Sequence, residues 1–195
     1  MQKSETLTCD ENHQYRLLPS GKILAGTTDV IESVFPYNGK KDEWYRMKGH
    51  AIHRSIALEI EGRLDYSSLT EYVARYFNQA MMAIEKLGII TIRCKAEVML
   101  WSRKYLTAGT MDLVDEEYIN DFKSGEKSPT HTLQTASYRH LWNINNPGNR
   151  RKKSRIIYLD GTEKMPEIIE EKPSDFTTFL AMLEIFNYKN LEGLK

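Results

Sequence analysis

Thr107-Ala-Gly-Thr-Met-Asp-Leu-Val-Asp-Glu-Glu-Tyr-Ile-Asn-Asp-Phe-Lys-Ser-Gly125 is the stretch on which the fold turns. Its apolar segments, Met111 to Val114 and Tyr118 to Phe122, flank the acidic triplet Asp115-Glu116-Glu117, a pattern that predicts a β-hairpin. Asp112 falls on the first strand. Asp121 and Lys123 fall at alternate positions of the second, so their side chains leave one face. Folding back at 115–117 returns Asp112 to the side of Asp121, and two carboxylates with an ammonium then share one spot. Like charges that close are unfavourable without a cation between them, and a divalent metal supplies one. The plainer alternative is a solvated ion pair between Asp121 and Lys123 at a strand end.

Outward from the hairpin, Ile89 to Trp101 reads as a strand with Glu97 at its middle. A helix is expected over Glu43–Ile60, which puts Gly49 and His53 on one face; a buried glycine there would let another segment or a ligand approach. Thr130 to Trp142 reads as a helix with Gln134 and Tyr138 one turn apart. Ser68-Leu-Thr-Glu71 is a capping-box pattern that opens a helix to Leu87, closed by Gly88, with Tyr72, Tyr76, Phe77 and Met81 as core. At the N-terminal end, residues 13–25 read as a hairpin (Gln14–Leu18, then Lys22–Ala25). Thr28 and Asp29 are expected to cap a short helix through Val34, and 37–42 is polar and loop-like. After the Thr130–Trp142 helix come a loop from Asn143 to Asn149 and the basic run Arg150-Arg-Lys-Lys153. A strand Arg155–Leu159, a turn at Asp160-Gly161, a strand Lys164–Glu170 and a final helix from Pro173-Ser174 to about Asn190 complete the chain. Helix, three strands, helix, strand is the order of a mixed α/β core with a central sheet flanked by helices, not of a repeating βαβ unit.

The chain has 195 residues, 41% hydrophobic and 28% charged, which predicts a globular domain with a sizeable core. No apolar run is long enough to cross a bilayer, and the first residues lack the apolar centre of a signal peptide, so no membrane partner and a cytoplasmic location are expected. Cys9 and Cys94 are too few for a disulfide framework or a four-cysteine iron–sulfur site. Net charge is zero, so a polyanion must be met by a local patch.

Gly49-x-x-x-His53, Glu97, Gly109-x-x-Asp112, Asp121-x-Lys123 and Gln134-x-x-x-Tyr138 occur in that order, behind a leading Leu-x-Ser-Gly-x-x-Leu-x-Gly-x-Thr28 segment. In this the chain, over roughly residues 13–185, resembles the PD-(D/E)XK nuclease superfamily, and within it the RecB-like exonuclease branch. That branch includes phage-encoded exonucleases, CRISPR-associated RecB-like nucleases and mitochondrial genome-maintenance exonucleases. Members with an iron–sulfur cluster use four cysteines, so the resemblance is to cluster-free members. It implies a restriction-endonuclease-like core in one nuclease domain over 1–195. Residues 1–42 would form an N-terminal hairpin and short helix, 43–160 the nuclease core, and 161–195 a C-terminal strand and helix.

The implied activity is metal-dependent hydrolysis of phosphodiester bonds from DNA ends, in recombination, repair or phage DNA processing. The implied partners are DNA with free ends and a recombination or single-strand-binding protein. Asp112 and Asp121 are the hard oxygen ligands that Mg²⁺ or Mn²⁺ prefers. The resemblance adds His53, whose imidazole suits Mn²⁺ somewhat better, and the backbone carbonyl of Phe122. Lys123 would orient or deprotonate the attacking water, or donate to the phosphate. Glu97 would steer Lys123 or help hold a second metal, and Gln134 and Tyr138 would support the site or hold the DNA strand. His13, His50, His131 and His140 are read as structural. Arg150, Arg151, Lys152 and Lys153, with Arg155, form the obvious phosphate patch, and Trp44, Tyr45 and Arg46 could stack on a frayed base, although the anchoring of its own helix is the role expected first of Trp44. A flap endonuclease with the same site, or a binding module without catalysis, are the rival readings.

Overall fold

The computed structural model describes residues 5–10, 13–36 and 43–194; the stretch 37–42, read as a loop, lies outside the described residues. Strands β1 (Thr6–Cys9), β2 (Tyr15–Leu18), β3 (Lys22–Gly26), β4 (Lys95–Ser102), β5 (Thr107–Val114), β6 (Tyr118–Lys123), β7 (Lys153–Tyr158) and β8 (Glu167–Glu170) form one mixed sheet. Helices α1 (Thr27–Glu32), α2 (Glu43–Ile60), α3 (Glu71–Lys86), α4 (His131–Asn145) and α5 (Asp175–Glu192) flank it. Among the described residues no helix is long and apolar enough to cross a membrane.

Side-chain alternation distributes the core over both faces of the sheet. Ile119 and Phe122 leave opposite faces of β6 because they lie an odd number of residues apart. Phe122, with Leu113, Ile157 and Leu159, packs on Ile52 and Ile56 of α2 and on Val73, Phe77, Ala80 and Ala83 of α3. Ile119, with Met111 and Val114, packs on Tyr138, Leu141 and Trp142 of α4. A third cluster joins Val30 and Ile31 of α1 to Leu133 of α4 and Phe179, Met182 and Leu183 of α5. The amphipathic stripe of α2 is thus used up by Ile52, Ile56 and Ala57, and its polar stripe at 46, 49, 50 and 53 is left to face a cavity.

The structure corrects several expected boundaries. Thr28 does not cap α1, whose N-cap is Gly26, while Asp29 takes part in the capping from the N3 position. The helix starts at Thr27, and the Asp29 carboxylate reaches back to the N–H of Gly26 at 2.9 Å. Ser68 belongs to a 3₁₀ turn, Tyr66–Ser68, and Thr70 caps α3 by accepting from the Val73 N–H at 3.3 Å. β4 begins only at Lys95, because Thr91–Arg93 forms another 3₁₀ turn. Helix α4 runs on to Asn145, where a loop was expected. Strand β1 was not foreseen.

β4 pairs with β5 antiparallel along its length, from Lys95↔Val114 to Ser102↔Thr107. β3 and β6 must therefore share the other edge of β5. β3 takes its start in parallel (Ala25↔Thr107, Gly26↔Ala108) and β6 takes its end antiparallel (Leu113↔Asn120, Val114↔Ile119). Between them the sheet forks, and no described strand pairs with residues 109–112 on that edge. Tyr138 of α4 fills the fork: a Cβ on Gly109 would lie 2.4 Å from its ring, so only glycine fits.

At the far end of the hairpin, Asp115 closes the turn. Its Oδ1 accepts from the N–H groups of Glu117 (2.7 Å) and Tyr118 (2.6 Å), and its Oδ2 from Asn120 (2.9 Å) and Arg155 (3.2 Å). Arg155 also donates to Asn120 Oδ1 at 2.6 Å, and the Arg151 guanidinium donates to the Asp115 carbonyl.

Candidate active site

The register of the hairpin places the acidic residues before any side chain is considered. Continuing the β5–β6 ladder one step past Leu113↔Asn120 sets Asp112 opposite Asp121. In β4, the ladder runs Ala96↔Leu113 and Val98↔Met111, which sets Glu97 opposite Asp112. Glu97 and Asp112 therefore stand opposite each other on β4 and β5, where cross-strand neighbours are about 4.5–5.5 Å apart, and Asp121 lies just past the last β5–β6 pair, at the edge of the fork. Glu97 has a left-handed backbone (φ 50°), an uncommon conformation for a residue with a side chain.

Where the fork breaks the ladder, Asp112 replaces it. The Phe122 N–H, which a regular ladder would give to β5, donates instead to Asp112 Oδ2 at 2.8 Å. Asp112 Oδ1 is 3.1 Å from His53 Nδ1 on α2. The Lys123 ammonium lies 2.7 Å from Asp121 Oδ2, and that buried oxygen has no aligned hydrogen-bond donor. The carbonyl of Lys123 accepts from Leu159 on the β7 side, so the Phe122 carbonyl leaves by the opposite edge, towards β5. Gln134 donates to the Tyr138 hydroxyl at 2.8 Å. His53, Glu97, Asp112, Asp121, Lys123, Gln134 and Tyr138 all line one cavity of about 900 Å³.

The electrostatics of this cavity are unbalanced. Burial pushes the Asp112 carboxyl up, but His53, Lys123 and the Phe122 N–H outweigh it, so it sits below the usual carboxylate range. Asp121 goes the other way: burial and Asp112 outweigh the pull of Lys123 and carry it to about 6. Glu97, exposed at its outer side but with its carboxyl in the cavity, is pushed by burial and by Asp112 to about 7. Burial works against charge on His53 and Lys123, yet the neighbouring carboxylates prevail and raise both. Lys123 is therefore a charged donor in the metal-free protein.

The donor set fits a divalent cation. Ligand atoms of His53, Glu97 and Asp112 lie within 4.8 Å of one another. The raised carboxyl of Glu97 and the unaligned oxygen of Asp121 are both what a cation at this place would relieve. Glu97 thus stands among the candidate ligands, a role expected first of Asp112 and Asp121.

The basic run is not one patch. Arg151 is 6% exposed; its N–H donates to Asn143 at 2.6 Å and its guanidinium to Asn149 and Asp115. Arg155 is buried on Asp115, and Lys153 pairs with Glu170 at 2.9 Å. Arg150 and Lys152 alone of the four stay exposed and unburdened by a described ion pair, and none of the run lines the cavity. The buried arginines cannot meet phosphates without unfolding the turn.

Trp44 has the anchoring contacts, with the Lys48 ammonium between its ring (3.3 Å) and that of Tyr72 (3.5 Å). Gly49 is not a close-approach position, since a Cβ there would meet only Ser124 Oγ at 4.0 Å. His13 and His50, read as structural, line the cavity with their Nε2 atoms 3.1 Å apart. The spacing of Arg46, His50 and His53 along α2 was the available signal for His50; nothing local marks His13. Tyr158, beside Lys123 in the β6–β7 register, holds His131 Nδ1 at 2.9 Å.

No protein-family model and no curated relative matches the sequence. Among solved structures, one from Eubacterium rectale named "putative exonuclease" overlays with a TM-score of 0.55 at 10% identity, covering 86% of this chain and 80% of that one. An alkaline exonuclease from Laribacter hongkongensis overlays more loosely, with a TM-score of 0.40 at 12% identity over 87% and 93% of the two chains. The first likeness is one of fold: this chain is built on the same mixed α/β architecture as the E. rectale protein, a central sheet with helices on both sides.

Proposed function

We propose that this protein is a divalent-metal-dependent DNA exonuclease of the PD-(D/E)XK type, in its RecB-like branch, acting on DNA ends in recombination, repair or phage DNA processing. The observation that carries the reading is the convergence of Glu97, Asp112 and Asp121 on one cavity at the fork, with His53 on Asp112 and Lys123 on Asp121. The E. rectale fold neighbour's name supports the same class. His53, Glu97 and Asp112, with Asp121 and the Phe122 carbonyl beside them, would hold Mg²⁺ or Mn²⁺, which when bound polarises a phosphate and acidifies a water.

The chain's own groups supply the rest. Lys123, held charged by Asp121 and Asp112 in the metal-free protein, donates to a phosphate oxygen or fixes the attacking water. Asp112 orients His53 through the 3.1 Å contact. Tyr138 and Gln134, locked together over Gly109, form a polar wall for the substrate strand.

The test is a time course on end-labelled linear DNA beside a covalently closed circle of the same sequence, with Mg²⁺, Mn²⁺ or excess chelator. Progressive loss of the linear DNA alone, with metal alone, is expected. Rapid cutting of the circle would assign an endonuclease, and binding without cutting a non-catalytic module. Undiminished cleavage in chelator would overturn the metal-dependent reading.

A further inference from the structure

We propose that Arg46, His50 and His13 form a second anion subsite in the cavity, which takes a backbone phosphate of the nucleic acid next to the phosphate under attack. The proposal rests on the nuclease reading above for its ligand. The geometry itself is independent of that reading.

α2 presents Arg46, Gly49, His50 and His53 to the cavity on successive turns of one stripe. His53 belongs to the carboxylate end. One turn back, His50 leaves that end and meets His13, which crosses from the loop before β2. Their rings meet edge-on with centroids 5.2 Å apart. Two imidazole nitrogens 3.1 Å apart can share one proton. A second proton would set two cations in contact unless an anion lay against them.

The charges that act most on His50 have one sign. After burial, His13, His53 and Arg46 act on it, and all of them hold its pKa down. Arg46 is more than half exposed, and its described ion-pair partner, Glu43, lies outward at 3.9 Å. The two acids at this end of the cavity are already engaged: Asp29 accepts from Gly26 at 2.9 Å and Asp10 from the Gln14 N–H at 2.9 Å. Between Arg46 and His53 the helix wall is low, because Gly49 projects nothing and a Cβ there would find only Ser124 Oγ at 4.0 Å. The opposite end of the same cavity gathers the carboxylates Glu97, Asp112 and Asp121, and this end gathers the donors Arg46, His50 and His13. A phosphodiester chain with a metal on one phosphate suits both ends. His50 stands three residues before His53, about 4.5 Å of helix rise, which is on the scale of one nucleotide step of a strand, with about 3.4 Å of rise. His50 and the carboxylate end are thus spaced to meet neighbouring phosphates.

The experiment uses the full chain and a fluorescent 5′-phosphorylated single-stranded oligonucleotide, first in chelator and then with metal. In chelator, Arg46→Ala/His50→Asn should weaken binding roughly tenfold and reduce the slope of log affinity against log salt by about 1, as expected when one to two phosphate contacts of a single strand are lost. Arg46→Glu should weaken it further, and Arg75→Ala, an exposed arginine on α3 away from the cavity, should not. With metal, the double variant should raise KM by a similar factor and move kcat less than twofold. Equal binding and equal salt slope for wild type and the double variant, with folding verified by thermal melting, would overturn the subsite. The chelator arm needs no turnover, so a protein that cleaves nothing still tests the subsite, and failure of the nuclease reading is seen separately in the metal arm.

Discussion

The two ends of the hairpin each anchor a cluster of polar and charged side chains around an aspartate, and the clusters have opposite fates. At the turn, Asp115, Asn120 and Arg155 satisfy one another: each Asp115 oxygen has donors, and Asn120 donates and accepts at once. At the fork, Asp112, Asp121, Lys123, His53 and Glu97 are as crowded but remain mismatched, with Asp121 at about 6, Glu97 at about 7 and one buried oxygen without an aligned donor. A closed network of buried charge specifies structure. An open one costs stability and persists where a missing ion or substrate completes it.

The largest effect that would break this contrast is expected at Asp121. Asp121→Asn should reduce hydrolysis to background, yet the metal-free variant should be more stable than wild type at pH 7. The folded carboxyl binds its proton more tightly than the unfolded one, so between about pH 4 and 6 stability falls as pH rises, and above that window the ionised group costs the fold about 1–3 kcal/mol. A denaturant melt at pH 4 and pH 7 checks the sign; a loss of stability at pH 7 would place Asp121 with the structural cluster. Arg155→Ala should do the reverse. It strands oxygens of Asp115 and Asn120 and should cost about 3–5 kcal/mol, while turnover per folded molecule, measured well below the midpoint, stays as it was.

Lys123→Ala should lower turnover by about 10² with DNA binding kept, the scale of a positioned proton-handling group. Weaker binding with normal turnover would make the ammonium an anchor only. Divalent metal should release protons on binding, because Glu97, near half-protonated at pH 7, must ionise to become a ligand. Calorimetry in two buffers of different ionisation enthalpy reads this, with release falling towards zero well above pH 7. The smallest effect is expected at Arg150 and Lys152: replacing both with Ala should lower the salt slope of DNA binding by at most about 2 units. A drop of 3–4 would mean that Arg151 and Lys153 also leave their partners.

What was legible in the sequence was local. The hairpin, the span of α2 and the alternation that joins Asp121 to Lys123 follow from periodicity and turn chemistry within a few residues. Two kinds of information were out of reach. Partners across distance decide whether a charge is buried: Arg151 and Arg155 look like a phosphate patch until Asp115 is folded against them. Long-range meetings of single residues leave no pattern, so His13 and His50 stayed apart, and Glu97 gained its place opposite Asp112 only through the β4 register. The short polar strand Thr6–Cys9 escaped because its stability comes from pairing with β2, not from its own composition.

The close approach of Gly109 to the Tyr138 ring has a consequence for inheritance. A methyl group at 109 and a full aromatic ring at 138 exclude each other, so neither position drifts freely: a lineage that gains a side chain at 109 must shrink or turn the one at 138, and with it give up the hydroxyl that Gln134 now holds. Positions 109, 134 and 138 should therefore change together or not at all among descendants of this chain, which makes the backbone gap beside Asp112 a constraint on which mutations can ever come first.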